Sequence, residues 1–382
     1  MRYSKLCGEN VSRLGFGTMR LPLTNDDKID FTKASEMIDY AFKNGINYYD
    51  TAYMYHSGRA ELFCRDALVS RYPRKDFFLA DKMPTWLCKN DSDAPRIFEK
   101  QLSKSGVDFF DFYLIHSVDE GSWPNILQLN IAEYLFQEKK CGRIHHLGIS
   151  VHCNPPLLTE ILQTYGDILE FVQIQLNYMD WEFQNAKELY AICEEWGKPI
   201  VVMEPLRGGM LANPMSEDAR SVLDAAKNGR NLSYSDFGFG FVDSLENVAC
   251  VLSGMSSSVQ LSDNIRFFSG DPLTEEQKKA VYEASKKLKS DILVPCTGCN
   301  YCFECPQDIK IPKIFSLYNE AAAKGFNWLW GSLTEEYLAL GPNANQCISC
   351  GSCESHCPQK INIIETLKKI DEKYNELRNS GK

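Results

Sequence analysis

From residue 12 onward, short apolar runs with β-prone composition alternate with longer stretches whose apolar residues recur at helical spacing. The runs are Leu14 to Thr18, Asn47 to Asp50, Phe77 to Lys82, Phe109 to His116, Ile144 to Ser150, Phe171 to Gln175, Pro199 to Glu204 and Val248 to Ser253. Between them lie patterns such as Ala34, Met37, Ile38, Ala41 and Phe42, or Ala186, Leu189, Tyr190, Cys193 and Trp196, each marking one face of an amphipathic helix. Strands that alternate with helices pair in parallel through right-handed crossovers. Eight such units predict an α/β chain built on a closed (β/α)8 TIM barrel. An open doubly wound sheet is the alternative, but no Gly-x-Gly-x-x-Gly follows an early strand to support it. Ser262 to Phe268 and Glu275 to Lys289 read as helices beyond the eighth strand.

The pattern changes near residue 295. Eight of the 15 cysteines fall between Cys296 and Cys357, and only helical patches accompany them, at Lys313 to Ala323, Thr334 to Leu340 and Glu365 to Leu377. This predicts a barrel over residues 1–270, a connecting helix over 271–295, and a small α-helical metal-binding domain over 296–382.

Composition narrows the class. Hydrophobic residues at 44% and charged residues at 24% are those of a globular chain, not of a disordered or low-complexity one. The net charge of −10 argues against nucleic acid or an anionic membrane surface as partner, since both demand basic surface. No apolar run approaches the ~18 residues of a membrane span. Met1, Arg2, Tyr3, Ser4 and Lys5 lead into polar sequence rather than an apolar signal region, so a cytoplasmic location is expected. In that compartment clustered cysteines favour metal over disulfides.

Cys296, Cys299, Cys302 and Cys305, followed by Pro306, form C-x2-C-x2-C-x2-C-P; Cys347, Cys350, Cys353 and Cys357, followed by Pro358, form C-x2-C-x2-C-x3-C-P. The second run is the bacterial two-cluster ferredoxin pattern, in which three local thiolates hold one cubane and the fourth cysteine reaches the other. By that logic Cys296, Cys299, Cys302 and Cys357 hold one [4Fe-4S] cluster, and Cys347, Cys350, Cys353 and Cys305 hold the second. Gly298 and Gly351 would let the backbone pass close to the inorganic core. Two zinc sites are the other metal reading. The remaining cysteines (Cys7, Cys64, Cys88, Cys141, Cys153, Cys193, Cys250) lack ligand spacing and are expected mostly as small buried hydrophobes.

Chemistry in such a barrel belongs to the C-terminal ends of strands. Asp50 ends the second strand, Tyr55 follows in its loop, Lys82 ends the third and His116 ends the fourth. A phenol of pKa near 10 becomes a usable acid when an ammonium stabilises its anion, a role open to Lys82 with Asp50 holding it in place. His116 would orient a carbonyl at the same oxygen.

These residues sit in Gly15-Phe16-Gly17-Thr18, Asp50 to Tyr55, Lys82 and Leu114-Ile115-His116, and over about residues 10–270 the chain resembles the aldo-keto reductase family, in order and at matching intervals. With the cysteine domain it is similar to the bacterial subgroup that carries a C-terminal ferredoxin-like domain. The resemblance implies that Tyr55 gives a proton to a substrate carbonyl oxygen as hydride from NAD(P)H reaches the carbon. It implies cofactor contacts at Gly17, Thr18 and Met19, carboxamide contacts at Ser150 and Gln173, and a phosphate loop over Leu206, Arg207, Gly208 and Gly209. Asp263 and Asn264 match the family's adenine contacts. Four positions depart from the pattern: Val151 replaces an Asn, Met203 replaces the aromatic that stacks on nicotinamide, and Gly254 and Gln260 replace the two cations that hold a 2′-phosphate. A strong preference for NADPH is therefore not expected.

Three functions compete. One is a carbonyl reductase or alcohol dehydrogenase using NAD(P)H on a small carbonyl or alcohol. The second places a flavin, FMN, in the barrel mouth, where it would convert between hydride and single-electron chemistry, with a ferredoxin or flavodoxin as electron partner. The third is an electron-transfer protein whose barrel does not catalyse, against which the set Asp50, Tyr55, Lys82 and His116 speaks. Trp86, Tyr53, Trp123 and Trp181 are candidates for a hydrophobic substrate pocket.

Overall fold

The computed structural model describes residues 1–382 apart from 184, 214–216, 289–292, 303–304, 324–325, 327–331 and 381–382. The chain opens with an antiparallel hairpin, β1 (Tyr3–Leu6) and β2 (Glu9–Ser12), that the hydrophobic pattern does not predict. Its strands alternate over only four residues each, too few to stand out. The signal lies in the turn, where Cys7 and Gly8 both take positive φ (51° and 92°), the backbone that two-residue hairpin loops favour. Leu6 and Val11 are fully buried and join Tyr48, Phe112, Phe171 and Val201 in one apolar cluster at the starts of the barrel strands.

All eight expected strands form, each within about two residues of its expected ends. They are β3 (Leu14–Gly17), β4 (Tyr48–Asp50), β5 (Phe78–Met83), β6 (Phe110–Val118), β7 (Ile144–Val151), β8 (Phe171–Gln175), β9 (Ile200–Met203) and β10 (Val248–Gly254). Every neighbouring pair is parallel, and β10 pairs back onto β3, which closes the barrel. Strands buried on both faces need no polar alternation, which is why they read as near-continuous apolar runs. The helix Phe31–Lys43 illustrates the outer layer. Asp30 caps it by accepting from the Lys33 amide, and Ala34, Met37, Ile38 and Ala41 turn inward.

Two compact units result. The first comprises Met1–Pro205 and Gly238–Thr274; the second comprises Leu206–Phe237 and Glu275–Lys382. The sequence places one boundary near residue 270 and treats 271–295 as a connector. In the structure the helix Glu275–Leu288 packs within the second unit against the helix Glu217–Ala226, and buried Gln277 donates to the Ala226 carbonyl while accepting from Arg230. Lys289, expected to end that helix, lies outside the described residues.

The core of the second unit is small. Ile311, Ile314 and Phe315 from the helix Ile311–Ala323 meet Ile363, Leu367 and Ile370 from the helix Ile363–Ser380, with the cysteines packed around them. Among the described residues no helix is long and apolar enough to cross a membrane.

Candidate active site and iron–sulfur centres

Four of the singled-out residues meet at the C-terminal ends of β4, β5 and β6. Lys82, fully buried, donates from Nζ to Asp50 Oδ1 at 2.6 Å and to the Thr51 carbonyl at 2.8 Å, and reaches Tyr55 Oη at 3.5 Å. Two acceptors thus fix the ammonium beneath the phenol. Asp50 is in turn set by its backbone, whose carbonyl accepts from Thr18 Oγ1 at 3.0 Å. Burial pushes the Asp50 carboxyl up, and the Lys82 ammonium works against that shift.

His116 stands edge-on to Tyr55, with ring centroids 6.3 Å apart, and lies 5.2 Å from the Trp86 ring. Burial drives its pKa well below the ordinary value, and the Lys82 charge adds to the effect. The imidazole is therefore neutral, able to donate or accept one hydrogen bond at each nitrogen. Its Nδ1 is buried without a protein partner. Of the aromatics proposed for a pocket, Trp86 packs against His116 in this group. Trp181 packs on Tyr190 and Phe241, Trp123 donates to Glu160, and the Tyr53 hydroxyl accepts from Lys100.

Ser150 and Gln173 are register partners on β7 and β8, and both direct their polar atoms to the Met203 sulfur, at 3.9 and 3.6 Å. Gln173 Oε1 is buried with no partner, an acceptor that suits the amide of a carboxamide. Gly17 is paired with both Asp50 and Gly254, and Met19 packs against the cluster that holds Tyr55. Asn264 bonds to Ser253, Gln260 accepts from the Ser256 amide, and Asp263 pairs with Arg266 at 2.7 Å. Arg20, not singled out in the sequence, lies along Gly254. A Cβ at that glycine would meet its side chain at 3.1 Å, and its guanidinium pairs with Glu204 at 3.3 Å.

Leu206, Arg207, Gly208 and Gly209 belong to the second unit, in the turn Arg207–Ala212. The Gly209 amide donates to the Leu206 carbonyl, and buried Arg207 donates to the Pro295 carbonyl at 3.2 Å.

The cysteines of the second unit line two cavities of about 310 and 330 Å³. The first is bounded by Cys296, Cys299, Cys302 and Cys357, the second by Cys305, Cys347, Cys350 and Cys353. Each draws three cysteines from one run and one from the other, the exchanged grouping that the spacing predicts. The rest of each wall is largely apolar, from Ile311, Phe315, Ile361 and Ile363 in one and Ile309, Ile311, Ile364 and Leu367 in the other. Burial, with three neighbouring thiols, pushes Cys302 up to about 12, a shift that a cation bound among these cysteines would oppose. Gly298 and Gly351 take φ of 66° and 78°, left-handed turns that a side chain would strain. Of the other seven cysteines five are buried, while Cys7 is partly exposed and Cys141 is exposed in a loop. Cys7, His146 and Glu170 also approach one another, but Glu170 is already engaged by Lys139, His146 and the Leu147 amide, which hold its carboxyl down at about 2. That group is a structural clamp.

Comparison with known proteins agrees with both halves. The aldo/keto reductase family model matches residues 13–286, and a 4Fe-4S dicluster domain model matches residues 295–362. The chain is 26% identical over 308 residues to an uncharacterized oxidoreductase, YqkF, of Bacillus subtilis, covering 73% of this chain and 94% of that one. It is 26% identical over 228 residues to the NADH-specific methylglyoxal reductase of Escherichia coli, covering 54% and 68%. In fold it resembles the aldo-keto reductase AKR11C1 of Bacillus halodurans in its holo form, with a TM-score of 0.62 at 24% identity over 74% of this chain and 96% of that one. A buried lysine bridging aspartate and tyrosine at the barrel's strand ends, within a match that spans most of the sequence, makes this chain a member of the aldo/keto reductase family, an oxidoreductase joined to a 4Fe-4S dicluster domain.

Proposed function

We propose that the barrel interconverts a small carbonyl compound and its alcohol with a nicotinamide cofactor, and that Tyr55 is the proton donor. The reading is carried by one observation, the 3.5 Å approach of Lys82 Nζ to Tyr55 Oη with the ammonium already anchored on Asp50 and Thr51. A bound nicotinamide would supply the hydride. The chain's own part is the proton: Tyr55 gives it to the carbonyl oxygen, and Lys82 stabilises the phenolate left behind. Neutral His116 orients that oxygen with a hydrogen bond and adds no charge of its own. Gln173 and Ser150, by exchanging Met203 for the carboxamide, hold the nicotinamide ring in register.

The cysteine cavities would hold two [4Fe-4S] clusters that pass single electrons to or from a small carrier of the ferredoxin or flavodoxin kind. Two of the relatives found are named for a nicotinamide, one NADH-specific and one NADPH-dependent, which favours the nicotinamide reading of the barrel over the flavin one. The test is anaerobic oxidation of NADH and NADPH by the purified chain against a panel of aldehydes, ketones and 2-oxoaldehydes. Carbonyl-dependent turnover that is lost in Tyr55→Phe supports the proposal. Turnover that survives this change, or a bound flavin in the absorption spectrum, overturns it.

A further inference from the structure

Within the second unit, the turn after β9 meets the loop of the first cysteine run. Arg207, Gly208 and Gly209 take φ of 50°, 68° and 95° in succession, a path that brings their backbone close against another segment. A Cβ on Gly208 would lie 1.9 Å from the Thr297 carbonyl oxygen and 2.8 Å from its carbon, so no side chain is compatible with this contact. Arg207, 1% exposed, donates to the Pro295 carbonyl. Pro295 precedes Cys296 and Thr297 follows it, so both contacts grip the first cluster ligand from its two sides. Asn319 grips the same entry one residue earlier, accepting from the Val294 amide at 2.9 Å and donating to the Val294 carbonyl at 2.7 Å. The loop that follows carries a Gly298 amide donating to Cys296 Sγ at 3.4 Å.

We propose that Arg207 and Gly208 are the seat of the cluster held by Cys296, Cys299, Cys302 and Cys357, and that the buried Arg207 guanidinium raises that cluster's reduction potential. The inference rests on the cluster reading above. Reduction adds one negative charge to the cubane, and a fixed cation in a poorly solvated surrounding stabilises it, as net charge, hydrogen bonding and burial set such potentials in general. Arg207 is thus a positioning residue for electron transfer. The lining of the cavity at Cys305, Cys347, Cys350 and Cys353 includes no residue of this turn, so the cluster there should not respond.

The experiment is a redox titration of the full chain, purified without oxygen, followed by electron paramagnetic resonance; Cys357→Ser marks which signal belongs to the first cluster. In Arg207→Gln that signal should favour the oxidised form by about tenfold, ~59 mV more negative for a one-electron couple. The other signal should keep its potential, and Arg207→Lys should lie between. Gly208→Ala, which keeps the charge but drives the Thr297 carbonyl away, should broaden or shift the first signal alone. Unmoved potentials in Arg207→Gln, an equal shift of both signals, or weakened nicotinamide binding with both potentials unchanged would overturn the inference. If Arg207→Gln does not accumulate, an unaltered spectrum in Gly208→Ala overturns it. A wild-type chain without reducible clusters overturns the cluster reading itself, and this inference with it.

Discussion

Lys82 Nζ sits 2.6 Å from Asp50 Oδ1 and 3.5 Å from Tyr55 Oη, so one ammonium serves a carboxylate and a phenol from a site with no access to water. The short bond anchors it and the longer one leaves it charge to spend on a developing phenolate. Tyr55→Phe preserves the ring and its packing but removes the transferable proton. Carbonyl reduction should fall about 10²–10⁴-fold, the usual contribution of a positioned general acid, with fold and iron content unchanged.

Because Lys82 acts through that same proton, Lys82→Met should cost about as much as Tyr55→Phe, and the double variant little more than either. Steady-state kinetics on the three variants decides this. Losses that multiply would separate the two residues and dismiss the relay.

His116 carries a sharper expectation in pH. Burial lowers its pKa below the ordinary value of 6.5, so the native chain binds this proton less readily than an exposed imidazole and remains neutral where other histidines begin to charge. The reduction rate should therefore show no limb from His116 near pH 6.5. In an isotope-labelled sample, the resonance that disappears in His116→Gln should stay that of a neutral ring at pH 6. A resonance titrating at an ordinary histidine pKa would contradict the site geometry.

The two cavities predict which cysteine replacements act together. Cys357→Ser and Cys299→Ser should remove the same cluster, and Cys305→Ser and Cys350→Ser the other, although Cys357 and Cys350 lie in one run. Iron and sulfide analysis should fall from about eight of each per chain to about four in every case, as two cubanes require. A stoichiometric zinc signal with little iron would end this assignment. Since so few apolar residues form the core around the metal, each loss should also lower the thermal transition of the second unit.

The residues around Gly254 carry an expectation for cofactor choice. Gly254 and Gln260 offer no charge for a 2′-phosphate, and Arg266 is paired with Asp263, so NADH should bind at least as tightly as NADPH. Fluorescence titration of the wild type measures this. Should NADPH prove much the tighter, Arg20→Ala should abolish the difference, because its side chain fills the space beside Gly254.

Most of this architecture is legible in the residues. The eight apolar runs appear as strands because both faces are buried, and the exchanged cysteine grouping appears as cavities because fixed spacing in a tight loop leaves little conformational choice. Tyr55 and Lys82 could be matched because strand ends direct side chains in a barrel. What stayed hidden depended on partners distant in sequence or on groups without a side-chain signal. The Thr51 carbonyl that shares Lys82 is backbone, and Arg20 matters only because position 254 is glycine. The hairpin β1–β2 is too short for a period to emerge. Gln277, read as part of a connecting helix, is buried because its partner Ala226 lies in a segment that periodicity cannot assign to a unit.

That last segment bears on how such a chain can be rearranged. The second unit takes Leu206–Phe237 from between the seventh and eighth strands as well as everything after Glu275. A gene cut at residue 270 or 295 therefore does not separate two modules. A cut at 270 strands the helix Glu217–Ala226 without the helix Glu275–Leu288 it packs on, and either cut leaves Gly208 facing no carbonyl. Transplanting the iron–sulfur part onto another barrel would require two splice points, one of them inside the donor's last crossover, so the two halves are expected to have been inherited and tuned as one piece.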